Sequence, residues 1–166
     1  MNFELKKLSK DALEPAIKKA QHYRLLNEPR AAASICRDIL AVEPAHHEAL
    51  ITLVLAMTDQ FGSETAQKAA EAQKLLEQLP GEYERYYYSG LVCERRATAY
   101  LASQTPGSGG WAFDWFRRAM DLYESAEAVR PAGNDDALLR WNTCARIIMH
   151  DRLEAVSEPL AEALLE

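Results

Sequence analysis

Apolar residues in this chain recur at intervals of three and four, and no segment shows sustained alternation. That period belongs to the α-helix, so the pattern predicts an all-α protein without a sheet. Prolines and helix-start residues divide it into elements. A first helix is expected over about 11–26, with Ile17, Ala20, Tyr23 and Leu26 on one face and Pro15 tolerated in its first turn. Asn27, Glu28 and Pro29 make a tight turn, and a second helix runs over about 30–42 before Pro44. A third, over about 46–60, rests on Leu50, Leu53, Val54 and Met57; a fourth, over about 64–79, opens at Ser63 and stops at Pro80 and Gly81. The fifth is long, over about 82–102. The run from Ser103 to Gly110 reads as a low-complexity loop. A sixth helix is expected over about 111–129. A seventh runs from a cap at Asn134 or Asp135 to about His150, and a short last helix over 159–165 is opened by Pro159.

Two of these helices are near-copies. Ala32 to Pro44 and Ala119 to Pro131 each place a small residue, a larger one four later (Cys36, Tyr123), then Ala-Val-charged-Pro. A segment repeated in this way, ending at a proline, is the second half of a helical hairpin repeat.

The layout resembles the tetratricopeptide repeat family, whose unit is a 34-residue helix–turn–helix. Ala20 and Tyr23 fall on the small and Tyr positions of a first unit, and Ala32, Cys36 and Pro44 on its second helix. Leu50, Leu53, Val54 and Met57 supply a second unit, closed by Pro80. Tyr86, Gly90, Ala119, Tyr123 and Pro131 mark a third. A half-repeat follows over 135–148, with Trp141 facing inward. The small positions let two helices approach closely and the aromatics fill the gap opposite. The resemblance implies a right-handed solenoid of antiparallel helix hairpins, about seven helices plus a short C-terminal one. An N-terminal extension over 1–12 would precede repeats over 13–150 (units of about 13–46, 47–82 and 83–133, then a half-repeat over 134–150), with a tail over 151–166.

The third unit departs from the family length. Pro44 to Pro80 is 36 residues, but Pro80 to Pro131 is 51, about 17 more than one repeat. Helices five and six are therefore expected to project by about two turns. Their tip carries Tyr100, Trp111, Trp115 and Phe116 beside Arg117 and Arg118. Such a cluster either packs the two helices together or forms an exposed aromatic–Arg patch of the kind enriched at interfaces.

Repeats of this family present the first helix of each hairpin on a concave face. The family register implies a groove lined by Ile17, Gln21 and Arg24, then Ile51 and Leu55, then Tyr87, Leu91 and Arg95, and finally Asn142 and Arg146. It is apolar at the centre and charged at the rims, which suits an amphipathic helix or an extended peptide. Ile17 and Gln21 stand where family members that bind chaperone C-termini need Lys and Asn, so that ligand is not expected.

Charge and candidate chemistry narrow the picture further. Nineteen basic against 25 acidic residues leave a net charge of −6, which argues against general nucleic-acid affinity. No apolar run reaches the roughly 20 residues of a membrane span, and the first residues show no apolar leader, so a cytoplasmic location is expected. Cys36, Cys93 and Cys144 are far apart within apolar helical patterns and read as buried core residues. His46 and His47 are adjacent on a helix, about 100° apart, and cannot converge on one ion. Asp135 and Asp136 sit where carboxylates offset a helix dipole. No phosphate-loop, nucleophile-elbow or zinc-protease motif occurs. The expectation is thus a non-catalytic adaptor without cofactor or metal, binding a protein or peptide in its groove, at its tip, or both. The alternatives are a small cytosolic chaperone for one client and an accessory subunit of a larger complex.

Overall fold

The computed structural model describes residues 3–62 and 65–155. Among the described residues it is all-helical. A short 3-10 turn (Lys10–Ala12) leads into α1 (Leu13–Leu25), α2 (Pro29–Val42), α3 (His47–Thr58), α4 (Thr65–Leu76), α5 (Glu82–Ser103), α6 (Ser108–Ala128) and α7 (Asp136–Asp151). The chain divides into two compact units, Met1–Pro80 and Gly81–Glu166. Ser63, Glu64 and the short helix expected over 159–165 lie outside the described residues.

The sequence explains the ends of these helices. Pro29 occupies the first turn of α2, where its missing N–H leaves no bond unmade. Asn27 sits at φ 59°, and the N–H of Glu28 reaches back to the carbonyl of Tyr23 (2.9 Å) while that of Asn27 reaches Arg24 (3.1 Å). This closes α1 with a left-handed cap, a conformation asparagine tolerates better than most residues. His46 opens α3, its Nδ1 accepting the N–H of Ala49 at 3.3 Å. At α7 the Asn134 side chain, not that of Asp135, accepts the N–H of Asp136 (3.0 Å).

One expectation fails at the α5–α6 connection. The loop over 103–110 shrinks to four residues, because α6 starts at Ser108 rather than Trp111. Gln104 (φ 50°) and Gly107 (φ 81°) both turn through the left-handed region, which reverses the chain in one step. Gly109 and Gly110 then enter the helix despite a composition that reads as loop.

Within the first unit, successive helices pack on one another and the core lies between them. Ile17, Ala20, Ala32, Cys36, Ile39, Leu50, Val54 and Ala72 are all but sealed from solvent. α1 is also tied to α3 and the residue that follows it: Gln21 Nε2 donates to Glu48 (3.3 Å) and Arg24 is paired with Asp59 (2.6 Å).

In the second unit α5 and α6, of 22 and 21 residues, form one long antiparallel hairpin. At 1.5 Å per residue each is about 33 Å long. Its register is set by the pairs Gly90–Tyr123, Arg96–Trp115 and Tyr100–Trp111. A Cβ at position 90 would lie 2.7 Å from the Tyr123 ring, so only glycine permits this approach. Ala97, Ala112, Phe116, Ala119, Tyr123 and Ala126 continue the buried seam. α7 runs back along α6, with Trp141 Nε1 donating to Glu124 (2.9 Å) at one end and Leu153 meeting Gly109 at the other. The tip of the hairpin is thus supported by α7 and the residues after it.

Candidate functional site

α5 and α7 of the second unit are held together by a buried carboxylate. Glu94 follows Gly90, Leu91, Val92 and Cys93 on the packed face of α5 and is 6% exposed. A charge placed there needs partners. The Tyr123 hydroxyl donates to its Oε2 at 2.6 Å, and Arg140 Nη1 donates to Oε1 at 3.0 Å. The Cys144 thiol lies beside it as well. Burial, and then the Glu94 charge, push the Tyr123 hydroxyl far above the usual phenol range; the same two causes push Cys144 up to about 12. Tyr123 and Cys144 are therefore fixed as donors toward a charged carboxylate.

This network forms the back of an open cleft. Tyr87 on α5 and Asp136, Leu139, Arg140 and Thr143 on α7 line about 250 Å³. Tyr87 is held in place by rings on three sides: it stacks on Tyr83 (5.8 Å between centroids), meets Tyr88 edge-on (5.1 Å) and tilts against Tyr123 (6.0 Å). Tyr83 is itself anchored, its hydroxyl donating to Asn134 Oδ1 at 3.1 Å. Leu139 is 59% exposed at the rim. The cleft combines an aromatic wall, an exposed aliphatic, a guanidinium oriented by Glu94 and a carboxylate.

The groove residues expected from the family register divide between the two units. In the first, Ile17 is a core side chain at 1% exposure and offers no surface. Gln21 and Arg24 are exposed or half-buried but are occupied by Glu48 and Asp59. Ile51 and Leu55 remain half-buried and accessible. In the second unit Tyr87 lines the cleft, while Leu91 is enclosed in the core at 3% exposure. Arg95 is half-buried, its Nε in contact with no acceptor. Asn142 is half-buried and Arg146 exposed, both outside the cleft lining. On α7 the cleft is lined by 136, 139, 140 and 143, a stripe turned from the expected positions 142 and 146. The signal for this register was Glu94, which directly follows the apolar run 90–93 and so enters the packed face, where a carboxylate demands a cation.

The tip residues separate in the same way. Phe116 is completely buried and belongs to the core, not to a surface patch. Trp111 is 47% exposed, Tyr100 and Trp115 are half-buried, and Arg117 and Arg118 are exposed. Arg117 pairs with Asp121 at 3.8 Å.

The three cysteines are buried and unpaired by disulfides. Burial pushes Cys36 to about 12 and Cys93 to about 11, so neither is a ready nucleophile. Among the described residues no three His, Cys, Asp or Glu side chains converge as metal ligands, and no helix is long and apolar enough to cross a membrane. No protein-family model matches the chain, and comparison with curated proteins and with solved structures returns no match.

Proposed function

We propose that the chain is a non-catalytic interaction module of the tetratricopeptide-like solenoid type, binding a short segment of another protein in the cytoplasm. The observation that carries this reading is the α5–α7 cleft. Its volume of about 250 Å³ falls below the roughly 300–1,000 Å³ usual for small-molecule sites. It accommodates one large side chain of a peptide or helix laid across Leu139 and Thr143. Its floor is stiffened beforehand by the Glu94 network and the stacked tyrosines, which lowers the ordering cost of binding. Arg140 is pre-oriented by Glu94 to meet a backbone carbonyl or carboxylate of the guest.

The test is affinity capture with the native chain and with Leu139→Asp and Thr143→Arg. Both positions are exposed, so helicity and melting should stay unchanged. A partner retained by the native chain and lost from both variants supports the cleft. Retention by both variants would sink it. A client that is soluble only when co-expressed with this chain would instead assign it a chaperone role.

A further inference from the structure

Along the α5–α6 hairpin, aromatic rings and guanidinium groups form a ladder. Trp111 packs on Tyr100 (5.6 Å between centroids), and the Arg96 guanidinium lies 6.0 Å from the Tyr100 ring and 3.8 Å from that of Trp115. Arg118 adds a second guanidinium, 4.7 Å from the same Trp115 ring. Among the described residues neither Arg96 nor Arg118 is paired with a carboxylate, as is also true of Arg30, Arg95, Arg146 and Arg152; what sets these two apart is that both lie over the Trp115 ring. The Arg96 Nε is buried with no acceptor. In a chain with six more acidic than basic residues, two guanidinium groups thus share one indole with no described carboxylate paired to either.

We infer that this ladder is a docking site for an acidic segment of a partner protein. The inference rests on reading the chain as an interaction module and adds the chemistry of what it binds. A guanidinium held over an aromatic ring keeps N–H groups for a carboxylate; in Arg96 these are the Nη groups, because its Nε is buried. The two Cζ atoms, 3.8 and 4.7 Å from one centroid, lie at most 8.5 Å apart. That limit admits acidic residues two apart on an extended chain or three to four apart on a helix. Trp111, exposed at the end of the ladder, offers an apolar anchor beside the charges. The two guanidinium groups and one exposed indole make a footprint for one or two carboxylates and an apolar side chain, shorter than the run of phosphate contacts that sustains nucleic-acid affinity.

The experiment uses fluorescein-labelled decaglutamate, followed by anisotropy and by tryptophan emission at moderate salt. The native chain should bind it. Arg118→Gln and Arg96→Gln should each weaken binding about tenfold, the scale of one lost charge-assisted contact. Arg118 is exposed, so its variant keeps the fold even if Arg96→Gln does not. Arg118→Lys should recover only part of the loss, because it restores charge without the planar stack. Arg30→Gln, an equal charge change on exposed α2, should leave binding intact. Three results would overturn the inference: no binding by the native chain, equal weakening by Arg30→Gln, or decathymidylate binding as tightly as decaglutamate. If capture of a natural partner still depends on Leu139 and Thr143 in that event, the ladder inference fails alone and the module reading stands.

Discussion

Gly90 and Tyr123 make the closest helix approach set by a glycine, and neither can yield. The ring is fully buried and its hydroxyl is fixed to Glu94 at 2.6 Å. Gly90→Ala should therefore lose about 1–3 kcal/mol in urea denaturation, the range for overpacking. Gly109→Ala should do the opposite. Its Cβ meets only Leu153 at 3.8 Å, an ordinary contact, and alanine is the better helix former, so a gain of about 0.5–1 kcal/mol is expected. Tyr123→Phe removes a hydrogen bond to a buried charge and should cost about 1.5–3 kcal/mol in the same measurement. A silent Tyr123→Phe would mean that Glu94 is satisfied by Arg140 alone. At this scale the types at positions 90 and 123 were legible, because Tyr123 follows Ala119 by four residues as Cys36 follows Ala32, and Gly90 falls on the same small-residue slot as Ala20. Glu94 was less so: it looks like one more polar residue until the apolar residues around it are counted.

Helices were legible to within a few residues wherever proline or a capping residue marks the end, as at Pro29, Gly81 and Val129. The start of α6 was not. Ser108, Gly109 and Gly110 have loop composition, yet they follow the left-handed turn at Gly107 directly into the helix. The stretch in the third hairpin was visible as a proline spacing, and it appears as helices of 22 and 21 residues beside others of 12 to 14 in the first unit. What periodicity did not give was the rotation of α7. On α7 the cleft is lined by Asp136, Leu139, Arg140 and Thr143 and not by Asn142 and Arg146, and Arg140 is the α7 residue that reaches Glu94.

Over the whole molecule the buried acids make a common prediction. Cys36 in the first unit and Cys144 in the second are raised from 9.0 to about 12, Cys93 to about 11, and Tyr88 from 10.0 to about 12, in each case chiefly by burial. Groups whose proton is held more tightly when folded support the fold fully below their unfolded values. That support declines as pH rises from about 9 toward 12. The urea midpoint should therefore fall steadily above about pH 9, and Cys36→Ser, which removes one such group from the core, should flatten part of that fall. Below pH 9 the three thiols should resist alkylation until the chain is unfolded; rapid labelling of the native chain would show that the cores open more readily than their burial implies.

The claim that the α5–α7 cleft receives a segment of another protein is tested most directly by photocrosslinking. A benzophenone amino acid is placed at Leu139, on the cleft rim, and separately at Lys18, exposed on α1. The account predicts that irradiation in lysate joins position 139 to one short, discrete segment of a partner, and that Arg140→Met removes the product. Crosslinks that are equally diffuse from both positions, or absent from position 139 while a partner is still captured, would contradict it.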